Sequence, residues 1–159
     1  MKNLTTILYI IIWLYIVSGL IKIYKTIKVL LDTFSGIAVF DITEIAFHLF
    51  KIGLAIYLIY HFFLFSRTVN KFDEKSFFNL KNGLRFKSTG KAIVVFALLN
   101  FSASILYAVN VGSDLALKNL PEQVIPNFFL LMMALFLLIQ SKVILSGNQQ
   151  LKKHEPINE

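Results

Sequence analysis

Four long apolar runs, Leu4 to Ile21, Ile45 to Phe65, Ala92 to Val111 and Val124 to Ile144, constrain this chain more than any other feature. An α-helix rises roughly 1.5 Å per residue, so each run is about the length needed to cross a hydrocarbon core of roughly 30 Å. A buried helix of a soluble protein is also apolar all round, but four such runs in 159 residues leave too little polar chain to cover them. Only 16% of the residues are charged, where an ordinary soluble domain carries about a quarter. The expected fold is therefore all-α: an integral membrane bundle of four transmembrane helices, a single membrane domain over residues 1–159 with no room for a second globular unit.

Charge sets the expected orientation. With both termini and the loop between the second and third runs on one side, that side holds eleven of the sixteen Lys and Arg; the other side holds Lys22, Lys25, Lys28 and Lys118, and Lys51 lies inside the second run. Cytoplasmic loops are the Lys- and Arg-rich ones, which predicts an N-in, C-in chain in a bacterial inner or plasma membrane, with a basic cytoplasmic loop at 66–91 and a cytoplasmic tail at 146–159. The three lysines after run one pull the other way. They recur every three residues and share one helical face, with Ile23, Tyr24, Ile27, Leu30 and Leu31 covering the rest. The preferred reading continues the first helix to about residue 31, its lysines reaching for headgroups; an amphipathic helix on the outer surface is the other.

Lys2 ahead of an apolar run resembles a secretory signal, but the run exceeds the usual h-region of roughly 7 to 15 residues and no Ala-x-Ala pattern closes it. It is read as a retained helix. The chain has no cysteine, which excludes disulfides, thiolate chemistry and Cys-ligated zinc or iron–sulfur centres. No catalytic motif or cofactor fingerprint stands out, so neither an enzyme nor a cofactor is expected.

An ionisable side chain inside a bilayer draws attention because its charge must snorkel, pair or face water. Asp41, Glu44, His48 and Lys51 are spaced three, four and three apart, which puts them on one stripe of the second helix, reaching a depth of roughly 10 Å at Lys51. Glu44, His48 and Lys51 are the candidate ligand or proton site. The plainer alternative is interfacial: carboxylates among headgroups, Lys51 snorkelling outward, and His48 bridging Glu44 to Lys51. One His and two carboxylates on one helix make a weak metal site. In the third run Asn100, Ser104 and Tyr107 fall at helical spacing and are read as a packing face. His61, Gln140 and Ser141 are expected at the headgroups. Trp13, in mid-run, is read as packing. No Gly-x-x-x-Gly pattern specifies an oligomer, though the broad apolar faces leave homo-oligomers open.

The loop 66–91 carries seven cations against Asp73 and Glu74, and interleaves aromatic and apolar side chains with them. Phe72, Lys75, Phe77, Lys81, Arg85 and Lys87 are its candidate lipid- or partner-contacting residues. Rings at the headgroup boundary and cations on anionic lipid suit a segment tethered to the membrane at both ends, and direct nucleic-acid binding is not expected of it.

The stretch Phe72-Asp-Glu-Lys-Ser-Phe-Phe-Asn-Leu-Lys81, followed by Gly90-Lys-Ala-Ile93, and the later Val143-Ile-Leu-Ser-Gly147 through Leu151-Lys152 resemble the signatures of a bacterial family of uncharacterised four-helix integral membrane proteins, a domain of unknown function. The likeness in length, helix number and loop placement spans essentially the whole chain; the tail departs from it where Glu155 runs into Pro156. The resemblance supplies no catalytic residues. It implies a gene often found beside a small Xre-type helix-turn-helix regulator, and hence a non-enzymatic regulatory or signalling partner of a small cytoplasmic DNA-binding protein. The alternative is a small transporter or lipid-binding bundle.

Overall fold

The computed structural model describes residues 2–35, 42–70, 78–111 and 120–154. They form four helices, α1 (Lys2–Ser35), α2 (Ile42–Val69), α3 (Leu80–Val111) and α4 (Leu120–His154). The shortest has 28 residues and the longest 35, or about 42 to 52 Å of helix. Each is long and apolar enough to cross a membrane.

Consecutive helices run antiparallel, and among the described residues every close backbone approach joins neighbours in sequence: α1 to α2, α2 to α3, and α3 to α4. Among the described residues, α1 closely approaches only α2 in this bundle. A buried apolar core still runs through it, with Ile12 and Ile16 from α1, Phe62 and Phe65 from α2, Phe86 and Ile93 from α3, and Ala134 and Ile144 from α4. The outward side chains are apolar too, among them Leu14, Leu106, Phe129 and Ile139. Water would penalise such a surface heavily, whereas lipid tails solvate it.

The tightest pair is α3 with α4, and its cause is a seven-residue rhythm of small and polar side chains. Gly83, Gly90, Ala97 and Ser104 on α3 and Asn127, Ala134, Ser141 and Asn148 on α4 recur at that spacing, with Gly90 against Ala134 and Gly83 against Ser141, while Ser104 turns to Lys51 on α2. All but the partly exposed Asn148 are buried. A repeat of seven keeps one seam turned to the partner when two helices wrap with a left-handed twist, and small residues along it let the backbones approach. Ser141 Oγ donates to the Gly83 carbonyl at 2.8 Å, and Asn148 Nδ2 donates to the Phe78 carbonyl at 2.6 Å. The absence of Gly-x-x-x-Gly therefore does not mean the absence of a close-packing code. It is spaced by seven instead of four.

Helix ends depart from the apolar runs. Residues 66–69 and 80–91 of the expected loop are helical, and so are residues 146–154 of the expected tail. Hydropathy marks where a helix meets lipid, but hydrogen bonding marks where it ends. Asn79 caps α3: its Oδ1 accepts from the Lys81 amide at 2.9 Å, and its carbonyl accepts from the amides of Asn82 and Gly83 at 3.0 and 3.1 Å. The far end of α4 is held by the Phe78 ring, which packs on Gly147 where no side chain intervenes. The first helix continues to Ser35, in keeping with the extended reading of its lysine-bearing end.

Candidate functional site

Alternation of helix direction gathers Lys22 on α1, Lys51 on α2, Asn100 and Ser104 on α3, and Asn127 on α4 at one level, nearer the end where α2 and α4 begin. Lys51 reaches a neighbouring helix as well as its own. Its Nζ lies 4.8 Å from the centre of the Phe47 ring and donates to Ser104 Oγ at 2.9 Å, crossing sideways to α3. Ser104 Oγ donates in turn to the Asn100 carbonyl at 2.8 Å, and Asn100 Nδ2 donates to Asn127 Oδ1 at 3.3 Å. A polar ladder thus links α2, α3 and α4 inside an otherwise apolar bundle. Phe47 stacks on Tyr107 with ring centres 4.2 Å apart, which fixes the ring beneath the ammonium.

Beside the ladder lies an open cleft of about 340 Å³ to which all four helices contribute. Lys22 and Thr26 come from α1, Lys51 and Ala55 from α2, Asn100 from α3, and Pro126 and Asn127 from α4. Pro126 is inside α4 and has no amide hydrogen, so it removes one rung of that helix's bonding at the cleft. Among the described residues, no carboxylate lines the cleft.

The stripe expected from spacing divides. Glu44 and His48 remain together, Oε1 and Nε2 being 3.8 Å apart on a half-exposed face, while Lys51 turns to Ser104. Seven residues turn about 700°, within about 20° of two full turns, so Lys51 stays on the Glu44 side of α2; what sets it apart is Ser104, which α3 places within reach of its ammonium. Asn100, Ser104 and Tyr107 pack as a face, and that face also carries the ladder. Sequence reasoning did not single out Lys22 or Asn127. The seven-residue rhythm that includes Asn127 was the available signal, and nothing in spacing marks Lys22 apart from Lys25 and Lys28.

At the opposite end, Arg67, Lys81 and Arg85 surround a second pocket of about 350 Å³ with Leu64, Thr68, Asn79 and Asn82. The Arg67 guanidinium sits 4.5 Å from the centre of the Phe63 ring. Lys87 is exposed two residues after Arg85, about 200° round α3 and so on another face. Phe72, Lys75 and Phe77 lie outside the described residues. Ser141, expected among headgroups, is only 2% exposed because it faces Gly83 on α3. His61 likewise points to α3, its Nδ1 3.4 Å from Ser88 Oγ. Trp13 meets Phe63 edge-on, ring centres 6.4 Å apart.

No protein-family model, no curated protein and no solved structure matches this chain.

Proposed function

We propose that this chain is a non-enzymatic, multi-pass membrane protein of a bacterial inner or plasma membrane, N-in and C-in, that acts as the regulatory or signalling partner of a small cytoplasmic DNA-binding protein. The observation that supports it most is that α3 stays paired with α4 ahead of its own apolar run, tied by the Ser141 to Gly83 and Asn148 to Phe78 bonds. The basic segment is thereby partly a shaped helical surface, with Arg67, Lys81 and Arg85 gathered around one pocket and Lys87 exposed on another face of α3. A partner with an acidic patch finds cations at fixed spacing there, which favours orientation and rapid encounter.

Orientation is tested directly because the chain has no cysteine. A single Lys81→Cys is expected to react with a membrane-impermeant maleimide only after permeabilisation, and Ile42→Cys, 80% exposed at the other end, in intact cells. The opposite pattern would invert the topology and move the basic end outside. For the partner, affinity purification of the tagged chain from native membranes is expected to recover a small DNA-binding protein, and Lys81→Glu/Arg85→Glu/Lys87→Glu to lose it. Failure to recover one, or recovery indifferent to the triple charge reversal, removes the support for docking at this end.

A transporter or lipid-binding role is the second reading. The cleft to which all four helices contribute favours it.

A further inference from the structure

We infer that the cleft holding Lys22 and Lys51 binds a phosphate-type oxyanion, either free phosphate or the phosphate group of an anionic lipid. The inference concerns the end opposite the proposed docking surface and stands whether or not a partner docks there.

Charge balance is the first argument. Two ammonium groups line one cleft, and among the described residues neither is ion-paired. Like charges at a low-dielectric site destabilise one another, and an intramembrane cation without a counter-charge is costly. A dianion between them removes the repulsion and neutralises both. The second argument is donor inventory. An ammonium has three hydrogens; Lys51 commits one to Ser104 and leaves two for a ligand. Ser104 holds that ammonium sideways, at the level of the cleft, so the charge is positioned and not merely tethered. The amide side chains of Asn100 and Asn127 stand on the same wall.

Size and access agree. At about 340 Å³ the cleft is at the small end of ligand pockets, which span roughly 300 to 1,000 Å³. A phosphate group with a short substituent fits that space, and lysine binds phosphate as a point charge. The cleft is open and not an enclosed cavity, so a lipid headgroup as well as a free ion can reach it.

The test uses the full chain in nanodiscs of neutral phosphatidylcholine. One arm titrates inorganic phosphate, with acetate as the carboxylate control. The other replaces part of the lipid with phosphatidic acid in phosphate-free buffer, with retained lipid counted by native mass spectrometry. Ligand that binds the folded chain raises its melting temperature. A rise in either arm is expected, with Lys22→Gln and Lys51→Gln each weakening the response at least about tenfold, as one charge-assisted contact is lost. The double variant should show none. Lys28→Gln, exposed on the same helix and absent from the cleft, should respond as wild type. A rise with phosphate assigns the free ion, and a rise only with phosphatidic acid assigns the lipid. Should Lys51→Gln fail to fold for want of its Ser104 bond, Lys22→Gln decides alone. The proposal is overturned if neither arm stabilises the wild type, if acetate does so as well as phosphate, or if Lys22→Gln responds undiminished.

Discussion

Replacing Gly90 with leucine is expected to separate α3 from α4 and to destabilise the bundle by about 3 kcal/mol, the upper range for overfilling a packed interior. Even the first atom of a side chain has no room there: a Cβ at position 90 stands 3.1 Å from the Ala134 carbonyl oxygen and 3.0 Å from Leu138 Cγ. Leucine can swing aside, but a backbone carbonyl cannot move without its helix. Gly83→Ala is the internal contrast. Its Cβ meets Leu145 Cδ2 at 2.6 Å, the flexible end of a side chain, and alanine also favours a helix over glycine by about 1 kcal/mol. The two effects nearly cancel, so Gly83→Ala should melt near wild type in detergent while Gly90→Leu melts on the order of 10 °C lower. Equal melting temperatures for Gly90→Leu and wild type would mean that the seven-residue seam is not where these helices meet.

The second large effect is expected at Phe65. Its ring is 2% exposed and stands edge-on to Phe86, centres 4.9 Å apart, beside the buried Val69. In a soluble core, Phe→Ala costs roughly 3 to 5 kcal/mol, part of it from exposing the ring to water on unfolding. A separated membrane helix keeps its rings in hydrocarbon, so only lost packing and the cavity remain. We expect Phe65→Ala to destabilise the bundle by about 2 kcal/mol on those grounds. Phe129→Ala removes the same ring from a site 66% exposed to the surroundings and should have little effect. Thermal melting of the two variants in one detergent tests the contrast, and matching losses would contradict the interior described for α2 and α3.

Much of the architecture could be read from hydropathy. Each apolar run lies within one helix, because a chain in lipid must satisfy its backbone hydrogen bonds internally and a helix does so locally. Helix ends could not be read that way. The cap at Asn79 comes from one side-chain oxygen and one main-chain carbonyl, and α4 past Ser146 packs at Gly147 against the Phe78 ring. Neither changes the hydropathy of a window. Lysines at 81, 87 and 91 made the start of α3 look like loop, although lysine is a good helix former.

Of the candidate site, periodicity located Lys51 and the Asn100 to Tyr107 face but not their meeting. Spacing along one helix says which residues share a face; it carries no information about what another helix places opposite. Lys51 and Ser104 are 53 residues apart, and Asn100 and Asn127 are 27 apart. The same limit hid Lys22, chemically identical to Lys25 and Lys28 and distinguished only by the cleft in front of it.

From residue order alone came four helices of membrane-spanning length and the concentration of cations at one end, since both follow from how each segment partitions between water, headgroup and lipid tail. Packing alone decided which polar groups point inward. Lipid solvates any apolar face equally well, so hydrophobicity could not choose among the rotations of each helix. The seven-residue seam of glycine, alanine, serine and asparagine made that choice, because backbones approach closely only where side chains are small or bond across the gap.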